Sequence, residues 1–468
     1  MKIMKRGSYA HPEVLAPLFA HFGANSVPGT AQETRTWVAV SDDGTCAGTA
    51  IVRLGKGSSW HLWYLGVLPQ YQRLGVGEKL FTSIENEARE SGISAIRTRT
   101  YARWAGMRHL LVKRGWAFAN ARMGEHHDGI EEEWLLPLRR DPLRVVLVGA
   151  NPCGRGAELA AAIKEQSTLV RIVGVCDNDS EVLRSWNEVP TSTDVGTLLD
   201  SVDADAAVLA LPHVAYQKLR PEFLKRGIGL LHEKPLACSL SELLKLQDML
   251  TERPVPLVVG VQRRSHPSYV FLKHALQSKL PDSLEVRMSL GRPTEEVSPD
   301  SDKHNCWRMD SHLAGGGALI DIGYHAIDLV HFLLEAPLET ISCNLWVGDR
   351  PANAGELETN ATLIGRAGTT WVKIVVDRAG VKSENVVATG EIRWHADRTG
   401  VRKNGIQHFS CPGSWDLAVR GQIATFVDAY SSPIKTVSLW DHLAELRVIE
   451  QSRTIASIQG IGASEITT

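Results

Sequence analysis

Cysteine is scarce and shows no pattern. Seven are scattered over 468 residues, the number is odd, and no C-x-x-C occurs. That argues against a disulfide framework or a structural zinc site and suits a reducing cytoplasm. Neither sign of charge is in excess: Lys and Arg total 51, Asp and Glu 53, for a formal net charge of −2. No global basic field therefore marks a nucleic-acid or membrane-surface binder. Without a run of about 18 apolar residues, no segment is expected to span a membrane. The opening "MKIMKRGSYAHPEV" lacks the apolar core of a secretory signal. Internal repeats and low-complexity tracts are missing too. The expectation is a cytoplasmic protein with no nucleic-acid or membrane partner and no metal.

What is present is apolar residue in quantity, 43% of the chain, enough for two to four domains at about 100–200 residues each. "TWVAV", "CAGTAIVRL" and "WHLWYLGV" read as strands, and "GEKLFTSIENEARESG" as an amphipathic helix that stops at a glycine. "LRRDPL", residues 138–143, has the charge and proline of a boundary. Beyond it strands and helices alternate from "RVVLVGA" to "GLLHEKP", the pattern of a parallel sheet covered on both faces. After residue 280 strands dominate, which suits an antiparallel sheet, and helical segments close the chain.

Two glycine-bearing loops carry the chemistry. In "VLPQYQRLGVGEKLF", Gly75 and Gly77 sit where a strand ends and a helix opens. Unpaired amides at a helix N-terminus favour a pyrophosphate, and glycine lets the backbone come close to it. Gln72-x-x-Gly75-x-Gly77, after Val67 and Pro69, resembles the Q/R-x-x-G-x-G/A signature of the GNAT-type N-acetyltransferases. The resemblance covers roughly residues 1–138 and includes a late Gly115-Trp116. It implies that Val67, Gln72, Arg73, Leu74, Gly75, Val76 and Gly77 hold acetyl-CoA. Two positions depart from the family: Leu111 stands where many members carry a general-acid Tyr, and Trp104 where many carry Asn. His61 and Tyr64 lie on the preceding strand, and His61 could serve as a base.

The second loop, "RVVLVGANPCGRGAEL", reads Gly149-x-Asn151-x-x-Gly154, with Asn at the second glycine of a dinucleotide fingerprint. Asn tolerates left-handed backbone angles better than most residues, so the turn survives. Some 28 residues after Gly149, strand "VRIVGVCD" ends at Asp177, and Asp179 follows. An acid there binds ribose hydroxyls and repels a 2′-phosphate, which favours NAD over NADP. Glu233-Lys234-Pro235 and "GGGALIDIGYHAIDLV" extend the match. With them, residues 143 to about 460 resemble the glucose–fructose oxidoreductase and inositol dehydrogenase (Gfo/Idh/MocA) family.

That resemblance implies cofactor contacts from Gly149, Asn151, Gly154, Asp177, Pro212, Glu233 and Lys234. It implies catalysis by Lys234, Asp321 and His325, and substrate contacts from Arg264, Trp307 and Arg308. The residues agree on their own terms. Oxidising a carbinol needs a base for the hydroxyl proton, which His325 suits, and a positive charge such as Lys234 where negative charge develops. Asp321 and His325, four apart, share a helix face with Asp328. A D-x-x-x-H pair also fits half of a metal site or a polar helix face; the Glu-Lys-Pro motif favours the hydride-transfer reading. Relatives often have N-x-x-H after the loop that follows "VLALP"; here "PHVAY" puts Tyr216 at the His position.

The expected architecture is therefore multidomain, α/β and α+β. A GNAT fold (1–139) precedes a Rossmann doubly wound parallel sheet (140–262), completed by a C-terminal helix near 437–460. A substrate-binding and oligomerisation domain (263–436) is built on an open antiparallel sheet. Two cofactor loops on one chain suggest a bifunctional enzyme. It would oxidise or reduce a sugar hydroxyl with NAD and N-acetylate an amino sugar with acetyl-CoA, as a homodimer or homotetramer. Two alternatives stay open. One is an oxidoreductase whose N-terminal domain senses acyl-CoA or is structural. The other is an NAD(P)H-dependent imine or amino-acid-derivative reductase fused to an acetyltransferase.

Overall fold

A computed structural model describes residues 2–6, 12–22, 33–54, 59–101, 104–123, 130–138, 141–152, 154–291, 306–353, 355–410, 414–431 and 439–465. The chain divides into two compact units, one of residues 1–120 and 124–142, the other of residues 143–468 together with 121–123.

The first unit is a seven-stranded sheet ordered β1-β2-β3-β4-β5-β7-β6. Its strands are β1 (Lys2–Arg6), β2 (Thr34–Val40), β3 (Cys46–Leu54), β4 (Ser59–Val67), β5 (Ala95–Tyr101), β6 (Ala117–Met123) and β7 (Ile130–Pro137). Helices α1 (Pro12–Phe22), α2 (Val76–Glu90) and α3 (Ala105–Lys113) accompany it. Helix α2 buries Val76, Leu80, Phe81, Ile84 and Ala88, one helical face. Strands β4 and β5 run parallel and pair only over Ser59–Leu62 against Ala95–Thr98. Leu62 faces Val52 and Tyr64 faces Ile51, so Trp63 is a bulge residue with no opposite number on β3. From that bulge on, β4 and β5 continue with no further pairing to each other among the described residues.

The second unit opens with a parallel sheet ordered β10-β9-β8-β11-β12-β13. It consists of β8 (Leu143–Val148), β9 (Val170–Cys176), β10 (Thr191–Ser192), β11 (Ala206–Leu209), β12 (Gly229–Glu233) and β13 (Leu257–Gly260). Between them lie α4 (Arg155–Glu165), α5 (Ser180–Leu183), α6 (Val195–Ser201), α7 (Ala215–Lys225) and α8 (Leu240–Glu252). Strands β8, β11, β12 and β13 are buried almost throughout, as strands covered on both faces must be.

A short 3-10 turn, Gln262–Ser265, and α9 (Pro267–Gln277) lead to a nine-stranded sheet. Its order is β16-β15-β17-β18-β14-β19-β20-β21-β22. The strands are β14 (Ser283–Ser289), β15 (Leu338–Val347), β16 (Arg350–Pro351), β17 (Asn360–Ala367), β18 (Thr370–Asp377), β19 (Ser383–Thr389), β20 (Trp394–Asp397), β21 (Gly400–Lys403) and β22 (Ile406–Ser410). The sheet is antiparallel except where β14 runs parallel to β18. Three helical pieces, α10 (Ser311–Ala314), α11 (Ala318–Asp321) and α12 (Gly323–Leu334), lie in sequence between β14 and β15 of this sheet.

The stretch Ser311–Leu334 is long and apolar enough by composition to cross a membrane, contrary to the expectation that no such segment exists. Its most apolar window is 89% buried within the fold, which is how core helices pass the same test. The C-terminal helices also differ in detail from expectation. Helix α13 (Ser414–Ser431), not the later segment, packs against α4 and β13. Its Tyr430 Oη donates to Asp205 O at 2.8 Å. Helix α14 (Leu439–Glu465) runs along β15 and reaches α8, where Leu240 N donates to Glu450 at 2.9 Å.

Candidate functional site

In the second unit the site grows from the ends of the parallel strands. After β8 the chain turns at Gly149, whose φ of +88° suits glycine, and a side chain there would overlap the carbonyl of Ala210. A side chain on Gly156, in the first turn of α4, would overlap the carbonyl of Gly149. Gly156 is thus what brings the helix N-terminus onto the strand end, a place where a dinucleotide phosphate would sit. The sequence reading missed it and chose Gly154, which is extended. Asn151 is absent from the left-handed region, so the reason given for tolerating Asn does not apply; it accepts from Gly154 N at 3.0 Å instead. Asp177 follows β9 and is buried beside this turn. Its carboxylate accepts from Ala150 N at 2.7 Å and Asp179 N at 3.0 Å.

Lys234 and Asp321 come together. Lys234 Nζ donates to Asp321 Oδ1 at 2.7 Å and to its backbone oxygen at 2.6 Å. Arg308 Nε donates to Asp321 Oδ2 at 3.0 Å, and the Arg308 guanidinium lies 4.2 Å from the Trp307 ring centroid. Burial alone would raise the Asp321 carboxyl, but Lys234, then Arg308, hold it well below the usual carboxylate range. Burial pushes the Lys234 ammonium down and Asp321 opposes it. His325, on α12, is buried and kept well below the usual imidazole range by that burial, then by Arg263 and Lys234. Among the described residues its Nδ1 has no hydrogen-bond partner.

Other expected site residues point elsewhere. Glu233 accepts from Arg155 Nε at 2.9 Å and Gln422 Nε2 at 3.2 Å, tying β12 to α4 and α13. Pro212 lies in the loop after β11. Arg264 grips Asp328 on α12 at 2.9 and 2.7 Å rather than reaching out as a substrate ligand. Its neighbour Arg263 makes a bidentate pair with Glu384 of β19, at 2.8 and 2.7 Å. Two successive arginines thus fix α12 and the large sheet to one turn. The triple glycine meets protein on every side. Side chains on Gly315, Gly316 and Gly317 would overlap Cys238, Arg453 and Glu358 respectively.

His213 is the functional candidate the sequence reading passed over. It precedes α7, is buried, and its Nε2 lies 3.7 Å from Asp321 Oδ1. Its Nδ1 is 2.7 Å from Ala314 O, and its ring meets Trp307 edge-on with centroids 4.8 Å apart. Burial, then Lys234, pushes it down to about 3 against the pull of Asp321. Only its place in "PHVAY", where relatives differ, marked it in sequence. Tyr216 from the same motif is buried and accepts from Leu211 N at 3.0 Å. Among the described residues no group of three His, Cys, Asp or Glu could hold a metal.

In the first unit, Arg73 and Gly75 both have positive φ, +62° and +76°, and α2 opens at Val76. Among the described residues no acceptor faces the backbone N–H of Arg73, Leu74, Gly75, Val76 or Gly77. Open space surrounds Gly75 where a side chain would stand. Gln72 Nε2 donates to Val67 O at 3.3 Å and braces the loop. This cradle fits a pyrophosphate, and the gap between β4 and β5 leaves main-chain groups for an extended arm. Leu111 is fully buried. Tyr64 packs against Leu18 and Ile51, and His61 sits opposite Arg53.

The folds and sites define two classes of protein on one chain: an acetyltransferase-type sheet, then a dinucleotide-binding oxidoreductase with a sheet-based second domain. Residues 7–116 match the acetyltransferase (GNAT) family. Residues 143–261 match the oxidoreductase family, NAD-binding Rossmann fold, and 277–380 the GFO/IDH/MocA C-terminal domain. The chain joins a GNAT-family domain to the two domains of a Gfo/Idh/MocA-family oxidoreductase. It is 24% identical over 229 residues to levoglucosan dehydrogenase of Pseudarthrobacter phenanthrenivorans, covering 48% of this chain and 52% of that protein. The chain thus spans about half the length of the curated relatives it matches first.

Solved structures show the same fold. An oxidoreductase from Thermotoga maritima superimposes with TM-score 0.58 at 19% identity, over 68% of this chain and 97% of that one. A 3-ketoreductase from Actinomadura kijaniata, solved with TDP-benzene and NADP, gives 0.55 at 19%, over 67% and 98%.

Proposed function

We propose that the second unit transfers a hydride between a nicotinamide dinucleotide and a hydroxyl-bearing carbon of a sugar or sugar derivative. The observation that carries this is the buried Asp321 carboxylate gripped by Lys234 and Arg308 beside His325, in a fold whose relatives include levoglucosan dehydrogenase. A bound nicotinamide supplies the hydride acceptor or donor. Lys234 retains a positive charge for the oxygen on which negative charge develops. His325, held neutral by burial, presents a bare ring nitrogen for the hydroxyl proton. Asp321 holds Lys234 in place. Asp177 favours NAD, because its carboxylate would oppose a 2′-phosphate in a partly dry turn. The A. kijaniata structure holds NADP, so the preference rests on Asp177 and not on the fold.

The first unit binds acetyl-CoA through the amides of Arg73 to Gly77 and acetylates an amine, with an amino sugar as the acceptor that links the two activities. Leu111 favours a second reading for this unit, an acyl-CoA sensor, because a buried leucine cannot protonate a departing thiolate. Two assays on the full chain decide. Growth of reduced dinucleotide with a panel of sugars, sugar nucleotides and polyols tests the first activity. Release of CoA thiol with a panel of amino sugars tests the second. Silence across the first panel removes the oxidoreductase reading; CoA binding without thiol release leaves the sensor. A homodimer or homotetramer is proposed for the assembly.

A further inference from the structure

His213 and Asp321 present a chemical mismatch. The Nδ1 of His213 lies 2.7 Å from the carbonyl oxygen of Ala314. A carbonyl can only accept, so Nδ1 carries the ring proton. The ring is neutral, so Nε2 is a bare acceptor. It faces Asp321 Oδ1, a second acceptor, across 3.7 Å. Two buried acceptors turned toward one another repel unless a donor enters between them.

The protein's own donors nearby are largely committed. Lys234 Nζ directs two of its three N–H bonds at Asp321, to Oδ1 and to the backbone oxygen. Arg308 Nε serves Oδ2, on the far side of the carboxylate. The Arg308 and Lys234 side chains keep 21% and 11% exposure, whereas those of His213 and Asp321 keep 2% each. The first pair therefore keeps some contact with solvent, and the second lies almost wholly beneath it. The Trp307 ring, edge-on to His213, fixes the imidazole so that Nε2 cannot swing away.

We propose that His213 determines specificity by accepting a hydrogen bond from a substrate hydroxyl next to the reacting carbon, making the preferred substrate a vicinal diol. This rests on the hydride-transfer reading of the same site. Adjacent hydroxyl oxygens on a sugar ring lie about as far apart as a hydrogen-bonded pair of atoms, roughly 2.8 Å. One then meets Lys234 and His325, where it would give its proton to His325 while a bound nicotinamide would take the hydride from its carbon. Its neighbour donates into the gap between Nε2 and Oδ1. That neighbour undergoes no bond change: it binds and orients. An analogue lacking it leaves two buried acceptors facing each other, which is why rejection should be severe.

The experiment compares a sugar or cyclitol turned over by the wild type with its vicinal deoxy analogue, in wild type, His213→Phe and His213→Gln. The wild type should favour the diol by about 10³-fold or more in kcat/KM, toward the range seen for sites built to bind a hydroxyl. His213→Phe keeps the flat ring against Trp307 but offers no acceptor, and should lose most of that preference. His213→Gln offers an amide oxygen and should recover part of it. Thermal melting and dinucleotide titration establish that each variant is folded and loaded. Full discrimination in a folded, dinucleotide-binding His213→Phe overturns the proposal and makes Lys234 the donor to Nε2. A wild type that turns over nothing on the panel removes the underlying reading instead. Ring-nitrogen NMR on the substrate-free protein still judges His213 in that case: the proposal requires a proton on Nδ1 and none on Nε2 at neutral pH, and the opposite tautomer overturns it.

Discussion

In the proposed reaction Asp321 is the central residue, because it pairs with Lys234 through both its carboxylate and its backbone oxygen. Lys234→Met and His325→Ala should each lower hydride transfer by about 10²-fold or more, the usual size for a positioned acid–base group. Near-normal turnover in either, with a sugar the wild type accepts, would show that these residues do other work. Four buried histidines whose protonation the fold opposes make a second prediction. His213 and His266 are pushed down to about 3 by burial, and His232 and His325 are held well below the usual range by the same cause. The unfolded chain takes up protons near the ordinary imidazole value of about 6.5, and the folded chain does not. Their contribution is therefore complete above about pH 6.5 and is lost as pH falls toward 3. Glu384, held near 2 by Arg263 and Arg398 against its burial, acts in the same direction, but only below the ordinary carboxylate range. A melting temperature that falls already between pH 6.5 and 5 is the histidine signature; a flat profile there contradicts four neutral buried rings. At this scale the sequence was a partial guide. Lys234 and Asp321 were named from motifs and do meet. Arg264 was named too, and its guanidinium pairs with Asp328, a partner 64 residues away that no local pattern could show. His213 could not be found from its neighbours, because its partners Ala314, Trp307 and Asp321 are remote in sequence.

The elements were more legible than the residues. Short runs rich in apolar and aromatic residues marked β2, β3 and β4, helical spacing marked α2, and the succession of strand and helix patterns marked the parallel sheet. What the pattern could not settle was which late helix lies on which surface. Both α13 and α14 are long and apolar enough to cover a sheet or a helix face, and only packing separates them. The bulge at Trp63 was invisible for a similar reason: it adds one residue to β4 without altering its composition. Two substitutions test elements. Gly156→Val should weaken dinucleotide binding and lower stability, since its side chain would drive α4 from the end of β8; overpacking of this kind typically costs about 1–3 kcal/mol. Unchanged melting and unchanged dinucleotide affinity would mean that helix and strand are not in contact there. Gly75→Asp places a carboxylate and a strained backbone angle in the loop before α2. Calorimetric titration should show loss of CoA binding with dinucleotide binding retained; retained CoA binding removes this loop from the site.

Across the whole molecule the split at Pro142–Leu143 predicts two independent responses. Each unit has its own sheet and core, so CoA should raise the melting transition of one and the dinucleotide that of the other. Each gain is about 2.7 kcal/mol at one hundred times the dissociation constant. A single transition shifted equally by either ligand would contradict independence. The sheet order of the second unit has a further consequence, in time. Strand β14 lies between β18 and β19, so its neighbours on both sides are made after it, and β18 follows by about 80 residues. At a synthesis rate of roughly 5–20 residues per second, β14 waits on the order of 4–16 s as a lone strand. Leu284, Val286 and Met288, buried in the finished sheet, are uncovered on the nascent chain for that interval. The helices bearing Asp321 and His325 emerge within it. A chain stalled before β18 has made all six strands of the parallel sheet and the helix bearing His325, but lacks β18, one of the strands that helix packs on, and both neighbours of β14. The strands of the parallel sheet are thus made well before β18 and β19 flank β14, and in that window the lone apolar β14 is the edge a chaperone would have to shield.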